Sequence, residues 1–192
     1  MRCDVWMKTS GAHRLVEESS KLYSELLTTQ YDAELVEVIK IDIPRTFPDN
    51  IHFDLYKNRL FNILIAYAHH NTSVGYCQGL NYIAGLILIV TKDEQCTFWL
   101  LKHFVENVAP DYHTRNMKGI LRDIEVLTEL VKMRYPEVNN KIDELGLPWA
   151  VIATKWLVCL FAEVLPVETI LRVWDVLFAE GFKVISLVLS LL

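Results

Sequence analysis

Apolar residues recur every three to four positions along most of this chain, which is the spacing of amphipathic α-helices. The pattern predicts helices in five segments, at residues 12–27, 34–40, 53–71, 94–108 and 116–133. An almost unbroken apolar run at 82–90 predicts a buried helix. Pro136, Pro148 and Pro166 each suit the start of a further helix or the position just beyond an end. Since no segment alternates with period two for long, we predict an all-α fold.

Length and composition favour one compact domain. The 192 residues are enough for a substantial core, and 52% of them are hydrophobic. Seven glycines and six prolines are too few to indicate a linker or a disordered segment. No fixed-length repeat is present, so a solenoid is not expected.

The charge balance excludes some classes of partner. A net charge of −5 offers no basic surface for nucleic acid or for an anionic membrane, whereas a protein partner with a basic patch fits it. The apolar runs 80–90 and 184–192 are shorter than the roughly 18 residues of a membrane-spanning helix, so no transmembrane segment is predicted. Arg2, Asp4 and Lys8 interrupt any signal-peptide core, and we expect a cytoplasmic protein.

The cysteines and histidines form no recognisable metal or nucleophile motif. The four cysteines, at positions 3, 77, 96 and 159, include no Cys-x-x-Cys pair, and the six histidines show no His-Glu-x-x-His spacing. We therefore expect no metal site, reduced thiols, and histidines whose polar atoms are all satisfied within the fold. No Walker-type glycine loop is present either, so the chain is not expected to bind a nucleotide or another cofactor of its own.

Pro44 and Pro48 bracket one arginine, Arg45. Because proline fixes its own φ and disfavours helical geometry in the preceding residue, residues 43–48 are predicted to form a stiff, non-helical loop. A guanidinium is always charged and offers a planar fork of donors, which suits a phosphate or a developing phosphoryl charge. Asp42, three residues earlier, is predicted to orient Arg45. An ordinary surface ion pair would give the same local pattern.

Gln78 lies just before the buried apolar run, in the segment Val-Gly-Tyr-Cys-Gln-Gly-Leu-Asn at 74–81. Free backbone N–H groups at a helix start favour an anion, and the small Gly75 and Gly79 are predicted to let a ligand approach the backbone. The Gln78 amide can donate to and accept from a water molecule, although it cannot act as a general base. The alternative is that Gln78 caps the helix that follows it.

Four motifs, in order along nearly the whole chain, resemble the signature of the TBC-domain Rab GTPase-activating proteins. The first, Ile-x-x-Asp-x-x-Arg-Thr-Phe-Pro, is matched by Ile39, Asp42, Arg45, Thr46, Phe47 and Pro48. The second, Tyr-Cys-Gln-Gly, is matched by Tyr76, Cys77, Gln78 and Gly79. The third, a Trp-Asp pair followed by an apolar helix and a glycine, is matched by Arg172, Val173, Trp174, Asp175, Phe178 and Gly181. The opening pair of arginine and tryptophan is matched by Arg2 and Trp6.

Within that family the sequence looks most like the growth-hormone-regulated TBC protein group. The resemblance implies a single multi-helix TBC domain over residues 1–192 that activates a Rab-type small GTPase in vesicle trafficking, as an activator in trans and not as an autonomous hydrolase. It implies that Arg45 reaches the bridge between the β- and γ-phosphates and that Gln78 orients the attacking water. The GTP and Mg²⁺ would be bound by the partner. The supporting residues that it implies are Asp42, Thr46, Phe47, Pro48, Tyr76, Cys77 and Gly79.

Two other classes of function remain open from the sequence. A helical module that binds a GTPase or another protein without accelerating any reaction fits the composition equally well, and only the two intact motifs argue against it. An autonomous hydrolase would need a carboxylate pair such as Glu17 with Glu18 or Asp123 with Glu125. Near neighbours on a helix point apart, so these side chains are predicted to be solvated.

The two ends of the chain depart from the pattern of the family. Family members normally carry a glycine-proline segment before the position of Arg2 and continue for further helices after residues 184–192. That last segment is an apolar helix without a cap or a polar ending. We therefore expect a domain that is truncated at both ends and lacks its last helices, although the motifs that contain Arg45 and Gln78 are both intact.

Overall fold

The computed structural model describes residues 1–191, so Leu192, the last residue of the predicted helix 184–192, lies outside the described residues. Within residues 1–191 the chain forms helices and no β-strand, which confirms the all-α prediction. The α-helices are α1 (Arg2–Ser10), α2 (Ala12–Glu18), α3 (Leu22–Leu26), α4 (Ala33–Asp42), α5 (Lys57–His70), α6 (Leu80–Thr91), α7 (Glu94–His103), α8 (Lys118–Arg134), α9 (Pro136–Glu144), α10 (Trp149–Val158), α11 (Val167–Glu180) and α12 (Lys183–Leu191). Short 3₁₀ turns at Ile43–Arg45 and Phe53–Tyr56 precede α5, and a π-helical turn at Phe104–Val108 continues α7.

Aspartate and proline side chains mark several helix starts. Asp32 and Asp93 cap α4 and α7, where each carboxylate accepts a hydrogen bond from the backbone N–H three residues further on. Pro136 occupies the first position of α9, where a missing N–H costs nothing. Pro148 and Pro166 directly precede α10 and α11. All three prolines therefore lie at helix starts, which is one of the two positions that the sequence left open.

Two predicted boundaries are wrong. Residues 12–27, predicted as one helix, form α2 and α3 with a break between them, where Ser19 leaves helical geometry at φ −146°. Two consecutive serines stand at this break, and serine favours helix ends because its hydroxyl competes for backbone hydrogen bonds. Residues 43–48, predicted as a non-helical loop, begin with the 3₁₀ turn Ile43–Arg45. Pro44 fits in that turn because an N–H in the first turn of a helix needs no partner.

The core is built around α5, α6 and α7, which pack against one another. The predicted stripe on α5, formed by Leu60, Ile63, Leu64 and Tyr67, is buried. Helix α6 is buried along most of its length, as its apolar sequence predicts. A second group of helices, α8 with α9, α10 and α12, packs together further along the chain. Helix α6 is therefore the most deeply buried part of the first group.

Helix α1, at the start of the chain, packs on α11. The Asp175 carboxylate accepts hydrogen bonds from Arg2, at 2.8 and 3.1 Å, and from the indole N–H of Trp6 at 2.8 Å. Trp6 is fully buried and packs against Trp174 and Phe178, with ring centroids 6.3 and 4.8 Å away. The opening motif and the Trp-Asp motif thus form one packing unit.

Asp175→Ala is expected to destabilise the domain by on the order of 1 to 3 kcal/mol, because it leaves the buried indole N–H of Trp6 without an acceptor. Burial alone would raise the pKa of Asp175, but the hydrogen bonds from Arg2 and Trp6 outweigh it and lower that pKa. The carboxylate therefore stabilises the fold above its unfolded pKa of about 3.9, and this contribution is lost as the pH falls further. Urea unfolding at neutral pH measures the difference. Equal stability of the two proteins there would contradict the prediction.

Candidate functional site

The two candidate motifs lie on neighbouring segments above α6. Arg45 ends the 3₁₀ turn that continues directly from α4, and Gln78 lies two residues before the first residue of α6. Gly79 is the N-cap residue of α6 and has φ 111°, which a residue with a side chain rarely adopts. This geometry turns the chain sharply between Gln78 and the buried helix.

A buried hydrogen-bond network joins the two motifs. The Tyr76 hydroxyl donates to the Asp42 carboxylate at 2.8 Å, and the Asn81 amide donates to the Thr46 hydroxyl at 2.9 Å. The Thr46 hydroxyl in turn donates to the Asp42 backbone carbonyl at 2.9 Å, and the Gly79 N–H donates to the Asn81 side-chain oxygen at 3.0 Å. Asp42, Thr46 and Asn81 are all buried. Because these polar groups satisfy one another away from water, the network fixes the position of one motif relative to the other.

Aromatic residues stabilise the backbone from the Arg45 carbonyl to Phe47. The Tyr82 hydroxyl donates to the Arg45 carbonyl at 2.8 Å. The pKa of Tyr82 is raised to about 12, chiefly by burial, so the hydroxyl stays a donor at neutral pH. Phe47 has φ 47°, and its ring packs edge-on against the rings of Phe53 and Tyr82. The distance between ring centroids is 5.5 Å in both pairs. Such a left-handed conformation is unfavourable for phenylalanine, and the packing of its ring against Phe53 and Tyr82 stabilises it here.

Gly85, in the middle of α6, allows this loop to lie close to the helix. A Cβ at this position would lie 3.1 Å from both the Phe47 ring and the Thr46 methyl group. Gly85, Asn81 and Tyr82 were not predicted from the sequence to belong to the site. A signal was present, since Asn81 is a strongly polar residue in an otherwise apolar buried run and such residues need partners.

The side chains of Arg45 and Gln78 are both exposed. In the part of the chain that the structure describes, neither the guanidinium nor the amide has a hydrogen bond or ion pair. The predicted orienting contact between Asp42 and Arg45 is therefore not formed. The Asp42 carboxylate accepts a hydrogen bond from the Tyr76 hydroxyl instead, so Asp42 connects the first motif to the second and does not contact the guanidinium.

Gln78 does not cap α6, because the capping residue is Gly79 and no side chain caps this helix start. The prediction that Gly79 admits a ligand is also wrong. A Cβ on Gly79 would lie 2.8 Å from the carbonyl oxygen of Val158, so the close neighbour of this glycine is the end of α10. Gly75 has φ 62° and open space around it, and it therefore leaves room beside the loop.

Cys77 and Tyr76 are protonated structural groups. Burial raises the pKa of the Cys77 thiol, whose sulfur lies 3.5 Å from the Gln78 carbonyl oxygen. A thiol with a raised pKa is a poor nucleophile, so the structure offers no support for cysteine chemistry at this site. Burial, followed by the hydrogen bond to Asp42, likewise raises the pKa of Tyr76.

Arg45 borders an open groove of about 880 Å³. One side is formed by the arginine loop, the floor by Tyr82, Leu86 and Ile89 of α6, and the other side by residues 162, 163 and 165–167. Gln78 lies outside this lining. The groove therefore offers a surface for a partner beside the arginine.

Other candidate chemistry finds little support in the structure. No group of three or more His, Cys, Asp or Glu side chains in the described part of the chain could hold a metal ion. None of the described helices is long and apolar enough to cross a membrane. Asp123, predicted to be solvated, is instead buried and accepts hydrogen bonds from the Tyr112 hydroxyl and from Arg122, because α8 turns this position towards Tyr112. An autonomous hydrolase that uses Asp123 with Glu125 therefore lacks a free carboxylate at Asp123.

The buried His113 departs from the expectation that the histidines are satisfied. His113 is buried, and its Nδ1 atom has no hydrogen-bond partner among residues 1–191, whereas its Nε2 atom lies 3.0 Å from the Val158 carbonyl oxygen. Its neighbours include Phe104, which has no donor, and Tyr112, whose hydroxyl donates to Asp123.

Comparison with known proteins gives a match over the whole chain. The family model described as the Rab-GTPase-TBC domain matches residues 1–192. Growth hormone-regulated TBC protein 1-A of Danio rerio is 45% identical over 186 residues, which cover 94% of this chain and 52% of that protein. Growth hormone-regulated TBC protein 1 of Homo sapiens is 43% identical over 189 residues, which cover 96% of this chain and 56% of that protein. The chain thus spans about half the length of these relatives.

Solved structures share the fold. The flagellar RabGAP TBC domain of Chlamydomonas superposes with a TM-score of 0.84 at 32% identity, covering 98% of this chain and 64% of the other. The Ypt/Rab-GAP domain of Gyp1p superposes with a TM-score of 0.77 at 24% identity, covering 98% of this chain and 72% of the other. At that lower identity the second match shows the fold alone.

Proposed function

Since the chain belongs to the Rab-GTPase-TBC domain family, we propose that it stimulates GTP hydrolysis by a Rab-type small GTPase, adding Arg45 and Gln78 to the nucleotide site of that partner. The family match agrees with the resemblance found in the sequence, and the relatives include the growth-hormone-regulated group. In this proposal GTP and Mg²⁺ belong to the partner. The activator is cytoplasmic and takes part in vesicle trafficking by binding its Rab at endomembranes.

The observation that carries the proposal is the contrast between fixed backbones and free side chains. The loops of Arg45 and Gln78 are joined by the Tyr76–Asp42 and Asn81–Thr46 hydrogen bonds, whereas both side chains are exposed and have no partner among residues 1–191. Phosphoryl transfer needs little covalent assistance and much positioning and charge stabilisation. The side chains of Arg45 and Gln78 extend from loops that are held by hydrogen bonds. They can therefore enter another protein's site without first breaking internal contacts.

Arg45 supplies the charge in this mechanism. During phosphoryl transfer negative charge develops on the oxygens around the γ-phosphate, and a guanidinium beside the bridge to the β-phosphate stabilises it. The Arg45 carbonyl is fixed by the Tyr82 hydroxyl at 2.8 Å, so the side chain extends from a defined point. The open groove beside it accommodates the surface of the partner.

Gln78 positions the attacking water. Its amide accepts a hydrogen bond from the water and donates a second one to a neighbouring oxygen, which aligns the water with the γ-phosphorus without removing a proton from it. The same task is performed by a glutamine within some GTPases. Gln78 thereby replaces the partner's own glutamine in the proposed mechanism.

A hydrolysis screen tests the proposed function. We expect this chain to accelerate single-turnover GTP hydrolysis by at least one member of a panel of purified Rab GTPases, with binding to each GTP-loaded Rab measured in parallel. Binding to a Rab without acceleration would support the alternative of a non-catalytic binding module. If the chain neither binds nor accelerates any Rab of the panel, that result contradicts the proposal.

A further inference from the structure

The end of α10 lies directly against the turn that carries Gln78. Helix α10 ends at Val158, and a Cβ on Gly79 would lie 2.8 Å from the Val158 carbonyl oxygen and 2.9 Å from its Cγ2 methyl. No space therefore separates the two segments at this point. A displacement of the Val158 carbonyl is transmitted to Gly79 and to the adjacent Gln78.

His113 holds that carbonyl in place. The carbonyls of the last turn of a helix have no partner within the helix, and the Val158 oxygen lies 3.0 Å from Nε2 of His113. A carbonyl accepts a hydrogen bond only from a protonated nitrogen, so Nε2 carries the proton. The pKa of His113 is lowered to about 4 by burial, which leaves the ring neutral at physiological pH with Nδ1 unprotonated.

The chain beyond Val158 has little freedom to compensate for a lost contact. Leu160 and Phe161 have φ values of 45° and 60°, in the left-handed region that residues with side chains rarely adopt, and both are buried. The indole N–H of Trp174 donates to the Leu160 carbonyl at 3.2 Å. The end of α10 is thus held by His113 on one residue and by Trp174 two residues further on.

We propose that His113 is a positioning residue for Gln78, which it serves by holding the Val158 carbonyl against Gly79. This inference rests on the proposed function for its kinetic consequence, but its structural part stands without it. Arg45 is linked to Gly79 only through Asn81 and Thr46, and its own carbonyl accepts a hydrogen bond from the Tyr82 hydroxyl. A change at His113 should therefore act more strongly on the glutamine than on the arginine.

Nuclear magnetic resonance tests the structural part directly. His113→Phe keeps an aromatic ring of similar size beside Phe104 but removes the N–H, so the amide resonances of Gln78 and Gly79 should shift. The matched control is Tyr112→Phe, which removes the hydrogen bond to Asp123 from the adjacent buried position. It should leave those two resonances unchanged. Unchanged resonances in His113→Phe, or equal shifts in both variants, would overturn the proposal.

The unaltered protein supplies a measurement that holds even if His113→Phe does not fold. The ring ¹⁵N shifts of His113 should show a neutral imidazole with its proton on Nε2. A proton on Nδ1 would leave no donor for the Val158 carbonyl and would overturn the proposal without any variant.

A double-mutant comparison tests the kinetic part. His113→Phe should lower kcat for stimulated hydrolysis by up to about 10²-fold, the loss that a misplaced catalytic group produces, with KM for the Rab unchanged. In the Gln78→Ala background the same change should have no further effect. His113→Gln, which keeps a donor, should recover most of the activity. An equal loss in both backgrounds would overturn the proposal.

If the unaltered protein stimulates no Rab, the proposed function fails, while the resonance shifts still decide the role of His113.

Discussion

Arg45→Lys is expected to lose most of the stimulation of Rab GTP hydrolysis while the domain remains folded. An arginine supplied in trans contributes about 10³- to 10⁵-fold in rate, or roughly 4 to 7 kcal/mol of barrier. Lysine keeps the charge but loses the planar fork that contacts two oxygens at once. Because the guanidinium is exposed and has no partner in the described part of the chain, its replacement removes no internal contact.

Single-turnover hydrolysis at saturating activator measures the effect, and thermal unfolding checks the fold. Arg14→Lys is the matched control, since Arg14 is an exposed arginine on α2, outside every motif. It should leave both the rate and the melting temperature unchanged. Undiminished stimulation by Arg45→Lys at an unchanged melting temperature would show that the planar guanidinium of Arg45 is not needed for catalysis.

The fold could be predicted from the sequence where the periodic pattern was long and uninterrupted. Residues 53–71 and 116–133 correspond closely to the described helices, because a continuous apolar stripe is itself the cause of their burial. Helix α1 was missed, since it is held by the distant Asp175 more than by its own pattern. The break at Ser19 was missed because the apolar spacing continues through it.

The candidate site was predictable only as a set of motifs. Nothing in the local spacing indicates that Asp42 receives the Tyr76 hydroxyl instead of the Arg45 guanidinium, since that choice depends on how the second motif folds over the first. The role of Gly79 was misread for the same reason. A glycine can be required because another group lies close to it, but the sequence does not show whether that group is a ligand or, as here, the end of α10. The motifs therefore identify the candidate residues, whereas the contacts of those residues depend on tertiary packing.

Gln78→Ala is expected to remove stimulation of a Rab regardless of whether that Rab has its own catalytic glutamine. The loss should be about 10²- to 10³-fold, comparable to the loss of one preorganised hydrogen-bonding group in an active site. Since Gln78 is exposed and does not cap α6, the substitution should change the free energy of unfolding by no more than about 0.5 kcal/mol. The loss of activity cannot then be ascribed to a weakened helix.

The decisive assay crosses two activators with two substrates. The unaltered chain and Gln78→Ala are each tested on an unaltered Rab and on a Rab whose own catalytic glutamine is replaced by alanine. Gln30→Ala is the matched control, because Gln30 is an exposed glutamine in the loop before α4, and it should behave as the unaltered chain does.

The substituted Rab separates the two mechanisms. If Gln78 orients the water, the unaltered chain still stimulates that Rab, since the missing amide is supplied in trans. If the partner's glutamine performs this task, the substituted Rab is unresponsive to every activator. Good activity on the unaltered Rab together with no activity on the substituted one would therefore exclude a glutamine supplied by this chain and leave Arg45 to act alone.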